Sequence, residues 1–170
     1  MSKHTVTKGK YEHLRRLSNE NHVIGALAID QRGSLKKMIA AGNPDQTGDE
    51  GIIHFKELIS EGNINYANEL LLEKYALIIK ADKFIFHLPE NIIKIKSGIY
   101  VANAIIKDIE YHGLCLISKY SNDNKLYLFD ITTIPSKHQE IYTEFLGAIR
   151  YIDTKQNDNI NDKDLKIAKK

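Results

Sequence analysis

The sequence predicts an α/β fold class: an N-terminal βα portion followed by an α+β segment that contains a hairpin. Three stretches carry that expectation. Val23 to Ile29 is nearly all apolar and stops abruptly at Asp30-Gln31-Arg32-Gly33, as a strand buried on both faces does when it feeds a helix. Between residues 52 and 72, Ile52, Phe55, Ile59 and Tyr66 fall near one face of a helix. Leu114 to Tyr120 and Leu126 to Thr132 are apolar runs separated by Ser121-Asn122-Asp123-Asn124, the pattern of a hairpin with a four- or five-residue loop.

Lys8 to Ser18 reads as a short helix, with Tyr11, Leu14 and Leu17 on one face and Asn19-Glu20-Asn21 ending it. The strand at 23–29 follows. Gly33 breaks it, Ser34 is placed to cap, and Leu35 to Ala41 forms a second short helix. Gly42-Asn43-Pro44-Asp45 is a loop. The helix over 52–72 is weakened at Gly62 by roughly 1 kcal/mol relative to alanine, and 70–72 or 75–79 reads equally well as a strand. Phe84 to Leu88 is strand-like and closed by Pro89, and Ile92 to Ile95 is another short apolar run. Ile99, Ala102, Ile105, Ile106 and Ile109 recur at helical spacing, which predicts a helix over 98–111 stopped by Gly113. A last helix is expected over 138–152, with Ile141, Phe145 and Ile149 on one face. The stretch 154–170 is mostly Asp, Asn, Lys and Gln and reads as a disordered tail.

Bulk properties exclude several classes of function. At 170 residues the chain can bury a real core. A net charge of +2, from 24 basic and 22 acidic residues, supplies no field for nucleic acid or an anionic membrane, so neither partner is expected. The lysines and tyrosines at Tyr111, Lys119, Tyr120, Lys125 and Tyr127 read as a solvated hairpin rather than a nucleic-acid surface. No apolar run approaches a bilayer span. The polar stretch Met1 to Arg16 lacks an apolar signal core, and Cys115 is the only cysteine, which together suit a cytoplasmic protein. Cys115 sits in an apolar run and reads as a buried, inert thiol. The seven histidines show no pair at metal-ligand spacing, and no glycine pattern cradles a phosphate. Neither a metal nor a cofactor is expected.

Chemistry concentrates at Asp30, Gln31 and Arg32. At the end of a buried strand, a carboxylate can orient or exchange protons with a catalytic amine. An amide or guanidinium there can bind phosphate or hydroxyl oxygens. Equally, Asp30 and Arg32 can cap the next helix and pair with each other. The stretch His22-Val23-Ile24-Gly25-Ala26-Leu27-Ala28-Ile29-Asp30-Gln31-Arg32-Gly33-Ser34-Leu35-Lys36-Lys37-Met38-Ile39-Ala40-Ala41 closely resembles the start of the tagatose 1,6-bisphosphate aldolase family. The segment before it, Leu17-Ser18-Asn19-Glu20-Asn21, shares the likeness. Phe55-Lys56-Glu57-Leu58-Ile59-Ser60-Glu61, Tyr66-Ala67 and Leu70-Leu71-Leu72 extend it to about residue 76.

That resemblance implies a class I aldolase on a (β/α)8 barrel. Such an enzyme cleaves tagatose 1,6-bisphosphate to dihydroxyacetone phosphate and glyceraldehyde 3-phosphate in lactose and galactose catabolism, through a lysine Schiff base. Asp30 would position that lysine and assist proton transfer. Gln31 would bind substrate oxygen, and Arg32 would contact ligand or pair at the rim. The family's lysine has no counterpart in the matching region. Lys83, ahead of Phe84-Ile85, is the remaining catalytic candidate, against the commoner role of such a lysine as a solubilising strand-edge residue. A barrel of this kind needs roughly 200 residues or more, so an incomplete barrel portion over 1–80 is expected. A segment of other ancestry over 81–153 and the tail would follow. Three readings result: an aldolase acting on a phosphorylated ketose, a non-catalytic fusion remnant, or a small interaction module. Self-association would be one route to completing a closed sheet.

Overall fold

A computed structural model describes residues 32–42, 45, 48–71, 73–90, 92–131 and 139–169. For Arg32, Gly33, Ser34, Gly42 and Gln139 the backbone alone is described. The helix expected at 8–18 and the strand at 23–29 lie outside these residues.

Three helices lead into a barrel. Helix α1 (Arg32–Gly42) buries Ile39 and half-buries Leu35 and Met38 on the same side. Helix α2 (Asp49–Glu61) opens with Asp49 and Glu50, where carboxylates favour the positive end of the helix dipole. It buries Ile52, Phe55, Leu58 and Ile59. Gly62 ends it in the left-handed region at φ 82°, with its N–H donating to the Ile59 carbonyl and that of Asn63 donating to Leu58, as a helix C-terminus is ordinarily closed. Helix α3 (Ile64–Leu71) follows at once and buries Ile64, Ala67, Leu70 and Leu71. The single helix expected over 52–72 is thus two helices divided at Gly62.

Six strands then close an antiparallel barrel: β1 (Ala76–Asp82), β2 (Ile85–Phe86), β3 (Gly98–Ile106), β4 (Ile109–Ile117), β5 (Asn124–Leu128) and β6 (Gln139–Tyr151). Their order around the barrel is β1-β2-β5-β4-β3-β6. Closure depends on β6, whose 13 residues pair with β3 on one side and β1 on the other. Two turns have both central residues at positive φ: Lys83 and Phe84 between β1 and β2, and Lys107 and Asp108 between β3 and β4. That is the turn hand which matches strand twist in a two-residue hairpin.

This architecture overturns the expected fold class. Among the described residues there is no parallel βα unit and no portion of a (β/α)8 barrel. The helix expected over 98–111 is the β3–β4 hairpin, and the helix over 138–152 is β6. The physical reasons are specific. Strand β3 is buried on both faces, with Tyr100, Ala102 and Ala104 in the main core and Ile99 in a second one. A strand covered on both sides loses its alternation and reads as an apolar run. In β6, Ile141 and Phe145 are four apart, which is in phase for a helix and for a strand alike. Gly113 does not stop a helix. It pairs with Leu128 inside the β4–β5 ladder, where a side chain would meet the Tyr127 and Leu128 backbone. The strand pair read around 114–132 is present, as β4 and β5.

One core runs through helices and barrel. Phe55, Tyr75, Phe145 and Tyr100 form a chain of ring contacts at 6.2, 5.8 and 5.7 Å between successive centroids. Asn68 fastens α3 to the barrel, donating to the Phe145 carbonyl at 2.9 Å and accepting from the Tyr75 N–H at 2.6 Å. Strand β1 spans residues 76–82, so it crosses the boundary expected at residue 80. Residues 154–169 carry a 3-10 turn (Lys155–Asn157) and helix α4 (Asp162–Ala168). Polar composition hid that helix. Its start is marked by Asn161 and Asp164, a reciprocal capping box.

Candidate functional site

The second core builds a wall. Ile99, Leu114, Leu116 and Ile152 lie on the outer side of the sheet and are covered by Ile160, Leu165 and Ala168. Arg150 fixes the covering segment. Its Nε donates to Asp164 Oδ1 at 2.9 Å and its Nη2 to Asp164 Oδ2 at 3.0 Å, a forked pair. The same guanidinium donates to the Asn157 carbonyl at 2.9 Å and the Asn159 carbonyl at 2.5 Å. Asp164 is only 2% exposed. It also accepts from the Asn161 N–H at 3.0 Å, so one buried carboxylate joins strand, turn and helix.

Between this wall and the β1–β2 turn lies an open groove of about 360 Å³. Its floor is apolar: Phe84, Ile85, Leu116, Leu126 and Ile160. Its polar rim is Lys83, Lys125, Tyr127 and Asn159. Local pairing explains the assembly. Ile85 sits opposite Lys125, and Lys125 opposite Leu116, so these side chains share one face of the sheet. The Leu126 N–H donates to the Phe84 carbonyl at 2.8 Å, which holds the turn bearing Lys83 beside Lys125. Lys83 and Phe84 have φ 49° and 67°, a region costly for residues with side chains, above all bulky ones. Among the described residues neither Lys83 nor Lys125 has an anionic partner. The groove can therefore hold an anionic group at its rim and a carbon skeleton on its floor.

One other polar cluster is closed on itself. Asn103 donates to Glu110 Oε1 at 2.7 Å and lies 2.7 Å from His112 Nδ1. No group of three potential metal ligands occurs among the described residues. Burial pushes the Cys115 thiol far above the ordinary range, which removes thiolate chemistry at neutral pH.

Of the four residues singled out from the sequence, Asp30 and Gln31 lie outside the described residues. Arg32 opens α1, and its side chain is likewise outside. Lys83 is exposed on the β1–β2 turn and lines the groove. In the sequence Lys125 reads only as part of a solvated hairpin, and nothing singles out Asn159, Arg150 or Asp164 as site residues. The capping pattern at Asn161 and Asp164 signals the helix, but nothing local signals that Arg150 reaches it.

No family model matches the chain. It is similar to the tagatose 1,6-diphosphate aldolase of Listeria monocytogenes, 52% identical over 68 residues, which is 40% of this chain and 20% of the relative. Tagatose 1,6-diphosphate aldolase 2 of Enterococcus faecalis is 49% identical over 69 residues, 41% of this chain and 20% of the relative. The Staphylococcus epidermidis aldolase is 39% identical over 69 residues, with 41% and 21% covered. The chain spans about a fifth of the length of the curated relatives it matches. Among solved structures, a macrolide-efflux protein from Streptococcus pneumoniae aligns with a TM-score of 0.53 at 15% identity, over 68% of this chain and 41% of that one. At that identity the likeness carries the fold alone. Among the described residues no helix is long and apolar enough to cross a membrane.

Proposed function

We propose that this chain is a non-catalytic binding module, in which a segment related to tagatose 1,6-bisphosphate aldolases is joined to an antiparallel barrel. In this reading the chain does not cleave a ketose bisphosphate through a Schiff base. The observation that carries it is the placement of the lysines: every lysine with a described side chain is exposed or half-buried. A Schiff-base lysine must be neutral to attack a ketone, and it becomes so by desolvation in an apolar pocket or beside another cation. Lys83, the candidate from the sequence, stands on an exposed turn. The barrel strands also occupy the stretch where the aldolase resemblance would require further βα units.

Borohydride reduction of the full chain with dihydroxyacetone phosphate, followed by peptide mapping, tests the reading. No lysine adduct should form, and tagatose 1,6-bisphosphate should release no glyceraldehyde 3-phosphate. An adduct on any lysine, including those outside the described residues, overturns the proposal.

A further inference from the structure

We infer that the groove between the β1–β2 turn and the Asn159–Ile160 wall binds a small phosphorylated ligand, its phosphate between Lys83 and Lys125. This names the ligand class for the binding-module reading above and rests on it. Two lysines without anionic partners among the described residues line the same groove. Lysine binds phosphate as a point charge, and a phosphate monoester carries about two negative charges near neutral pH. A carboxylate would match only one of the cations. Asp82, the neighbour of Lys83, is half-buried and does not line the groove. The apolar floor of Leu116 and Ile160 offers contact to a carbon skeleton, and Tyr127 and Asn159 offer hydroxyl and amide groups to its oxygens. The volume of about 360 Å³ fits a small molecule. The wall is held in place, since Arg150 grips the Asn159 carbonyl.

The test follows backbone amide resonances of the full chain during titration with dihydroxyacetone phosphate, dihydroxyacetone and inorganic phosphate. Saturable shifts should appear at residues 83–85, 125–127 and 159–160 with dihydroxyacetone phosphate, and be absent with dihydroxyacetone. Inorganic phosphate should bind at least several-fold more weakly. The double variant K83E/K125E should weaken binding by about tenfold or more, because like charges repel at a site that attracted them. Its unchanged barrel resonances would show that it folds. Absence of saturable shifts up to about 10 mM ligand, equal response to dihydroxyacetone, equal binding of inorganic phosphate, or indifference to the double variant each overturns the inference. Borohydride trapping on the same sample separates the two proposals. No adduct and no groove shifts removes the phosphate ligand and leaves the non-catalytic reading standing, whereas an adduct removes the non-catalytic reading itself.

Discussion

Replacing Arg150 by methionine should be among the most damaging single changes outside the main core. Arg150 is only partly shielded, its side chain 25% exposed, whereas the Asp164 side chain is 3% exposed. Removing the guanidinium leaves a buried carboxylate with no cation and two carbonyls, at Asn157 and Asn159, without their donor. Orphaning one partner of a buried pair costs about 3–5 kcal/mol. The loss is limited by what holds α4 down, because the segment can leave the sheet and hydrate Asp164. The second core beneath it is small: Ile160, Leu165 and Ala168 against Leu114, Leu116 and Ile152. Arg150→Met should therefore cost about 3 kcal/mol, appearing first as undocking of residues 155–169. Asp164→Asn should cost less, about 1–2 kcal/mol, because Arg150 keeps both carbonyls and part of its hydration. The double variant should fall short of the sum by at least about 1 kcal/mol. Urea midpoints give the energies, and hydrogen exchange over 162–168 against β3 and β4 separates undocking from global unfolding. Added salt should change little, since screening acts weakly on a buried pair. If Arg150→Met stays within about 0.5 kcal/mol of the parent with unchanged protection in α4, the account of this bridge as the fastener is wrong.

Three further outcomes are expected. Gly113→Ala should destabilise by roughly 2 kcal/mol or more, because the new carbon would lie 2.9 Å from Leu128 Cα in the facing strand; a denaturation midpoint equal to the parent's would contradict that packing. Thr143→Val should stabilise by about 1 kcal/mol, since the Thr143 hydroxyl is buried with no hydrogen-bond partner among the described residues. A loss of stability on that change would reveal a partner. Burial raises the ionisation of Tyr75, Tyr100 and Cys115 above their ordinary values. The unfolded chain therefore releases those protons first, and their contribution, complete at neutral pH, declines as pH rises through about 9 and beyond. Urea midpoints at neutral and alkaline pH should show that decline, and Cys115→Ala should reduce its slope. A midpoint insensitive to alkali would show that these groups ionise equally in both states.

Local order was legible in part. Helix α1 is visible in Leu35, Met38 and Ile39, and the apolar face of α2 in Ile52, Phe55 and Ile59, because amphipathic spacing is a local property. Gly62, which in the sequence only weakens the middle of one long helix, ends α2 instead. The aldolase likeness is also a local property of one continuous stretch. It pointed to a parallel barrel that the described residues do not form, because a shared segment does not decide what the rest of a chain pairs with. Lys83 stands out in the sequence for its position before an apolar run. Its neighbour in the groove, Lys125, lies forty-two residues on and is brought alongside only by the β2–β5 ladder.

By itself, then, the sequence determined helix α1, the apolar face of α2, the β4–β5 strand pair, the buried character of Cys115 and a partial likeness to an aldolase. Tertiary structure decided that 98–106 and 139–151 are strands, that β6 closes the barrel between β1 and β3, and that Arg150 and Asp164 build one wall of a groove. The division has a physical cause. A strand covered on both faces carries no alternation from which its state can be read. Barrel closure, moreover, depends on hydrogen bonds between residues far apart in the chain, to which no local spacing corresponds.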